Sequence, residues 1–131
     1  MASIDQTAPT PKAMVWTGRV LSVLPALMLI MSGVMKLMKP KEVVEGFAHL
    51  GYPADLALPL GILELACTVI YLIPQTAVLG AILLTGYMGG AIATHVRLGE
   101  PFYAQVGIGV VIWLGLYLRE ARLRAILPLR R

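Results

Sequence analysis

Four long apolar stretches, separated by short polar segments, dominate the hydrophobic pattern of the chain. In each stretch, hydrophobic residues occupy every face of a helical projection, as lipid exposure requires. Each contains about 17 to 25 residues, and a helix rises 1.5 Å per residue, so each can cross a hydrocarbon core of about 30 Å. The pattern predicts membrane-spanning helices at about residues 14–38, 56–73, 76–96 and 102–118.

The composition strengthens this interpretation. Of 131 residues, 58% are hydrophobic and 14% are charged, whereas soluble domains carry about 25% charged residues. So few charged side chains could not cover a soluble surface of this size. The composition also excludes a disordered chain, and a single cysteine, Cys67, excludes a disulfide scaffold. We predict an all-α integral membrane protein in which residues 14–128 form one four-helix bundle.

Polar and basic tails flank the predicted spans. Residues 1–13 lack the basic start and apolar core of a signal peptide, so we expect this polar tail to be retained. Residues 119–131 form a basic tail. Four spans place both termini on the same side of the membrane. That side has seven basic residues and the other side has four, so the positive-inside rule predicts a bacterial inner-membrane protein with both termini in the cytoplasm. Anionic lipid accounts for the net charge of +4, so no nucleic-acid partner is expected.

The loop at residues 39–55 faces outward in this topology and has the pattern of a short amphipathic helix. Pro40 suits the first turn of such a helix, and Gly51 suits its end. Four apolar side chains between them fall on one helical face: Val43, Val44, Phe47 and Leu50. The pattern predicts a helix at the outer interface. It leaves open whether that helix is a packed lid or a substrate gate.

Glu64 is the one acidic residue inside a predicted span. A charged side chain in the hydrocarbon costs about 2.5–3.5 kcal/mol on insertion scales, so we treat it as a functional candidate. Helix rise from Asp55 places it about 13 Å inside the membrane. Gly61, Thr68 and Tyr71 lie on the same helical face, which should point to the bundle interior. We predict Glu64 as the catalytic candidate, with Thr68 and Tyr71 as ligand-binding candidates.

Four more polar residues fall at the outer ends of the spans, above the depth of Glu64. They are Lys36, His95, Arg97 and Gln105. Together they predict a polar funnel, basic at its mouth and acidic at its base, that could bind an oxygen-rich head group above an apolar body. A structural alternative stays open: Lys36 and Arg97 could merely mark membrane boundaries, and Glu64 could merely pair with Lys36 or a tyrosine hydroxyl to hold the bundle together.

Glycines of the third and fourth spans indicate close helix packing. Gly86 and Gly90 form a GxxxG pattern, which lets helices approach closely. We expect this face of the third span to pack against another helix, either within the chain or across a homo-oligomer.

Metal and haem chemistry are not favoured. Two histidines, His49 and His95, are too few for a zinc or di-iron site, so no metal site is predicted. His95 and a methionine could ligate haem, but methionine in a membrane helix normally fills space. The cofactor therefore stays unknown, and a quinone is compatible with the funnel.

Four segments stand in a specific order and spacing: SGVMKL (32–37), LGYP (50–53), LGILELACTVIYLIP (60–74) and LGAILLTGYMGGAIATHVRLG (79–99). In these segments the chain resembles the DoxX-like family of small bacterial membrane proteins over about residues 14–128. The resemblance implies a four-helix membrane fold and recurrent polar residues at Lys36, Glu64, His95 and Arg97. Other DoxX-type proteins are linked to thiol or thiosulfate oxidation coupled to quinone, and to redox assemblies with partner proteins.

Several functions follow from these features. The first is an accessory, lipophile- or quinone-binding subunit of a membrane redox system, with a redox partner protein. The second is a stand-alone membrane enzyme, an isomerase or oxidoreductase, that uses Glu64 as acid or base. The others are a small transporter or proton relay, which would need to oligomerise, and a structural membrane partner.

Overall fold

The computed structural model describes residues 11–126, and every regular element in that range is helical. Residues 1–10 and 127–131, which belong to the predicted tails, lie outside the described residues. The helices are α1 (Lys12–Met38), α2 (Lys41–His49), α3 (Ala57–Leu72), α4 (Ala77–Arg97), α5 (Tyr103–Arg119) and α6 (Ala121–Ile126). The prediction of an all-α protein is confirmed.

Three helices are long and apolar enough to cross a membrane. Counted with the short 3-10 turns that precede α3 and α4, they are Lys12–Met38, Ala54–Leu72 and Pro74–Arg97. Helix α5 is also apolar but has only 17 residues. The helix bounds agree with the predicted spans to within a few residues, and the apolar helices indicate a lipid bilayer as the surroundings.

Local backbone chemistry sets the ends of these helices. Helix α1 stops where Lys39 takes a left-handed conformation (φ 51°) and donates its N–H to the Met35 carbonyl at 3.0 Å. Pro40 follows and starts α2. Pro74 separates α3 from α4, because proline lacks the N–H that would continue the α3 ladder.

The four long helices are arranged as a ring. Helix α1 packs against α3 and α5, and α4 packs against the same two helices from the opposite side. We call the end of the ring near α2 the α2 end; it contains the last turns of α1 and α4. The starts of α1 and α4 lie at the opposite end. This arrangement leaves space along the axis of the ring.

Close packing in the ring depends on glycines other than the predicted pair. A Cβ added to Gly80 of α4 would lie 2.3 Å from the Tyr71 Cα of α3, and one added to Gly18 of α1 would lie 2.6 Å from the Gly115 carbonyl oxygen of α5. Around Gly86 and Gly90, by contrast, no neighbouring atom of the described residues lies within 4 Å of an added Cβ. The expectation of close packing there within the chain is therefore wrong, because both glycines line open space inside the ring.

The outer surface of the ring is strongly apolar. Large side chains of α1 such as Leu27, Met28 and Met31 are between 56% and 70% exposed. A soluble protein would not leave such a continuous apolar belt in water. The surface therefore fits the lipid surroundings that the helix lengths indicate.

Candidate functional site

A cavity of about 650 Å³ lies along the axis of the ring at the α2 end. Its walls come from α1, α2, α3, α4 and α5, and most of them are apolar. Eight polar side chains also line it: Ser32, Lys36, Tyr52, Glu64, Tyr87, Thr94, His95 and Gln105. The cavity therefore combines a large apolar body with a few converging polar groups, as small-molecule sites usually do.

The Glu64 carboxylate and the Lys36 ammonium form the charged centre of this cavity. Lys36 Nζ lies 2.8 Å from Glu64 Oε1 and donates a second hydrogen bond to Ser32 Oγ, also at 2.8 Å. The Tyr87 ring centroid is 5.9 Å from the ammonium, within reach of a cation–π interaction. The Glu64 side chain is 1% exposed and that of Lys36 is 18% exposed, so this ion pair is largely removed from solvent.

The second carboxylate oxygen of Glu64 is left without a hydrogen bond. Oε2 is buried, and no atom of residues 11–126 meets hydrogen-bonding geometry to it, although the Tyr87 hydroxyl is near enough to interact with the carboxylate. Leaving a buried acceptor unsatisfied costs about 1–3 kcal/mol, and more when it is charged. Glu64 lines the cavity, so its carboxylate is the candidate acceptor for a bound group that carries an N–H or O–H.

His95 and Gln105 form a second polar pair on the cavity wall. His95 Nδ1 donates to the Ala91 carbonyl at 2.7 Å, because a carbonyl oxygen can only accept. In the neutral ring Nε2 is then the acceptor, and it lies 3.4 Å from Gln105 Nε2. This pair links α4 to the first turns of α5.

Arg97 lies outside the cavity, although it was predicted with the funnel. Its guanidinium donates to the Leu50 carbonyl and lies 5.5 Å from the Tyr52 ring centroid. Tyr52 in turn bonds to Thr94 at 2.9 Å. Arg97 therefore fastens the loop that follows α2.

Thr68 and Tyr71 share the α3 face of Glu64 but do not line the cavity. Thr68 donates to the Glu64 carbonyl at 2.7 Å and is fully buried. Tyr71 donates to the Ile112 carbonyl at 2.7 Å and lies 3.0 Å from Ser22 Oγ. Two turns of helix carry Tyr71 about 10 Å from Glu64, so it joins a separate polar cluster toward the opposite end.

Helix α2 covers the cavity from one end. Phe47 is its buried residue, 6% exposed, and it lines the cavity wall. His49, at the end of α2, contacts Glu100 after α4. Together with the Arg97 contact to Leu50, this holds α2 over the ring.

The sequence interpretation missed Ser32, Tyr52, Tyr87 and Thr94 as cavity residues. Helical spacing could have found the three that lie on α1 and α4, whereas Tyr52 lies in the loop after α2. Ser32 is one turn before Lys36, and Tyr87, Ala91 and His95 recur at intervals of four on α4. Their signal was weak because serine, threonine and tyrosine are ordinary in membrane helices.

Metal ligands do not gather in the described part of the chain. No group of three or more His, Cys, Asp or Glu side chains within residues 11–126 could hold a metal ion. The cavity's polar groups are suited to hydrogen bonding.

The model of the DoxX-like family matches residues 20–118, which include every polar residue of the cavity. Neither the search of curated proteins nor the search of solved structures returned a match.

Proposed function

The chain belongs to the DoxX-like family, and on that premise we propose that its cavity binds a lipophilic quinol for a membrane redox system. The protein would be an accessory subunit that holds the quinol near a redox partner protein. It would cross the bacterial inner membrane four times, with α5 as the fourth span and both termini in the cytoplasm. Helix α5 is about 26 Å long by helix rise, close to the hydrocarbon thickness.

The observation that carries this proposal is the unpartnered Glu64 Oε2 in the cavity wall. A carboxylate oxygen accepts hydrogen bonds, so it favours a ligand that donates one. A quinol hydroxyl is such a donor, whereas an oxidised quinone presents only carbonyl acceptors. The Lys36 ammonium and the Gln105 amide supply donors elsewhere in the same cavity for a ligand oxygen.

The remaining walls suit an apolar ring. Leu29, Leu60, Leu63 and Ile108 line the cavity, and Gly86 and Gly90 leave a flat strip of α4 among them. A flat aromatic head group could lie along this strip. The proposed roles are hydrogen-bond acceptor for Glu64, its charge partner for Lys36, and wall donors or acceptors for His95 and Gln105.

The proposal is tested by measuring how a tail-free dimethoxy-methyl-benzoquinol binds to the protein in lipid nanodiscs. Under anaerobic conditions, we expect Glu64→Gln to weaken quinol binding about tenfold, because a neutral amide oxygen accepts a weaker hydrogen bond than the carboxylate does. Binding of the oxidised quinone should change much less.

Glu42→Gln is the matched control, since Glu42 is an exposed carboxylate of α2 outside the cavity. Thermal melting checks that each variant is folded. Quinol affinity equal to that of the wild type in folded Glu64→Gln would contradict the proposal.

The same unpartnered oxygen favours a second candidate, a stand-alone membrane isomerase or oxidoreductase. Glu64 would then accept a proton from the bound substrate and return it after the reaction. Turnover by the purified protein without a partner, abolished in Glu64→Gln, would favour this candidate over the accessory role.

A further inference from the structure

A second concave surface lies on the lipid side of the ring, between α4 and α5. This α4–α5 groove has a volume of about 640 Å³. From α4 it takes Thr85, Met88, Gly89 and Ile92; from α5 and α6 it takes Gln105, Val106, Gly109, Val110, Trp113, Leu114, Tyr117 and Leu123. From Gln105 to Tyr117 it follows α5 for about 18 Å by helix rise. It therefore runs along the helices, in the direction of lipid chains.

Glycines, which have no side chain, keep this groove open. Gly89 and Gly109 face it from the two helices, and no neighbouring atom of the described residues lies within 4 Å of a Cβ added to either. Hydrogen bonds join the helices above and below the glycines: Gln105 to His95 at 3.4 Å and Trp113 to Thr85 at 2.7 Å. The helices are thus tied at two levels and separated between them.

The groove adjoins the cavity. Met88 and Gln105 line both, so one layer of side chains stands between the two spaces. Methionine is unbranched and adapts its shape readily. A ligand in the cavity could therefore extend past Met88 into the groove.

We propose that the α4–α5 groove holds the apolar tail of the ligand whose polar head occupies the cavity. This inference rests on the proposed function and adds the ligand's class: a head group carrying a long alkyl or isoprenoid chain. Two observations favour a tail over a second copy of the chain. The groove follows α5 for about 18 Å, as an extended chain would, and it adjoins the cavity where a head group would lie.

The groove contributes space for the tail rather than a more apolar environment, because the surrounding lipid tails are as apolar as the groove walls. The tail gains little from leaving lipid, but it needs a path out of the cavity. Blocking that path should exclude a tailed ligand and spare a tail-free one.

Gly89→Leu and Gly109→Leu test this inference. Each adds a side chain where the structure has space, so folding should be preserved. Gly107→Leu is the matched control, because Gly107 is an equally open glycine of α5 that does not line the groove.

Two probes are compared in the same nanodiscs: the tail-free dimethoxy-methyl-benzoquinol and the same quinol bearing a decyl chain. We expect each groove variant to weaken binding of the decyl quinol about tenfold, the effect of a modest steric clash. Binding of the tail-free quinol should stay within twofold of the wild type, and Gly107→Leu should change neither.

Equal effects of the groove variants on both probes, or no effect on either, would overturn the tail site and leave the proposed function standing. A change in oligomeric size in Gly89→Leu, with both affinities unchanged, would also overturn it, because a second copy would then occupy the groove. If the wild type binds neither probe, the proposed function itself fails, and the tail inference fails with it.

Discussion

At the scale of single residues, the Lys36–Glu64 ion pair places two opposite charges in the wall of an otherwise mostly apolar cavity. The pair is held at 2.8 Å and the carboxylate is almost fully buried. Ion pairs in such surroundings often contribute little net stability, because removing both charges from water costs about as much as their attraction returns. This weak net contribution to folding supports the proposed role of the pair in ligand binding.

The two charges should depend strongly on each other. Lys36→Met leaves the Glu64 carboxylate buried without its cation, and we expect it to lower the free energy of unfolding by about 3–5 kcal/mol. In the double variant Lys36→Met/Glu64→Leu no charge is left unpaired, so stability should return close to that of the wild type. Chemical denaturation in detergent micelles measures all three proteins. A double variant no more stable than Lys36→Met would contradict this expectation.

At the scale of elements, glycines divide into those that bring helices together and those that leave space. Gly80 allows α4 to lie against the backbone of α3 at Tyr71, whereas Gly86 and Gly90 widen the cavity. One helix therefore uses the same residue type for tight packing at its start and for an open wall further along.

Alanine substitutions separate these two roles. Gly80→Ala places a Cβ 2.3 Å from backbone atoms of Tyr71, so α3 and α4 must move apart. We expect a clear fall in melting temperature, since overpacking costs about 1–3 kcal/mol. Gly86→Ala meets no neighbouring atom and gains up to about 1 kcal/mol of helix propensity, so its melting temperature should be unchanged or higher. The reverse order of melting temperatures would contradict this assignment of the two glycines.

At the scale of the whole molecule, α2 covers one end of the ring, and the α4–α5 groove lies on its side, one layer of side chains away from the cavity. The α2 end is fastened by contacts from Arg97 to Leu50 and from His49 to Glu100. On the proposed function, a lipophilic ligand would exchange with the bilayer along the α4–α5 groove, the apolar groove that adjoins the cavity.

The proposed orientation has its own test. In a Cys67→Ala background, a cysteine at Glu45, an exposed residue of α2, should react with an impermeant maleimide in intact spheroplasts. A cysteine at Ser3 should react only after the membrane is permeabilised, because the positive-inside rule places that terminus in the cytoplasm. Labelling of Ser3→Cys but not Glu45→Cys in intact spheroplasts would reverse the orientation.

The sequence by itself determined the helical class, the apolar helices, their approximate bounds and the prominence of Glu64. These properties are local. Hydropathy follows from the run of side chains, and a lone carboxylate in an apolar run is conspicuous wherever the helix packs. The tertiary structure decided how the polar residues are grouped. It brought Lys36, His95 and Gln105 to the cavity with Glu64, directed Arg97 to the loop after α2, and carried Tyr71 to another cluster.

Only the tertiary structure also decided which glycines pack closely. A GxxxG pattern predicts a flat helix face. Which helix packs on that face depends on how the neighbouring helices are placed. In this ring α3 covers Gly80, while Gly86 and Gly90 border the cavity and Gly89 borders the groove. Such choices depend on contacts between helices far apart in the chain, which no local pattern encodes.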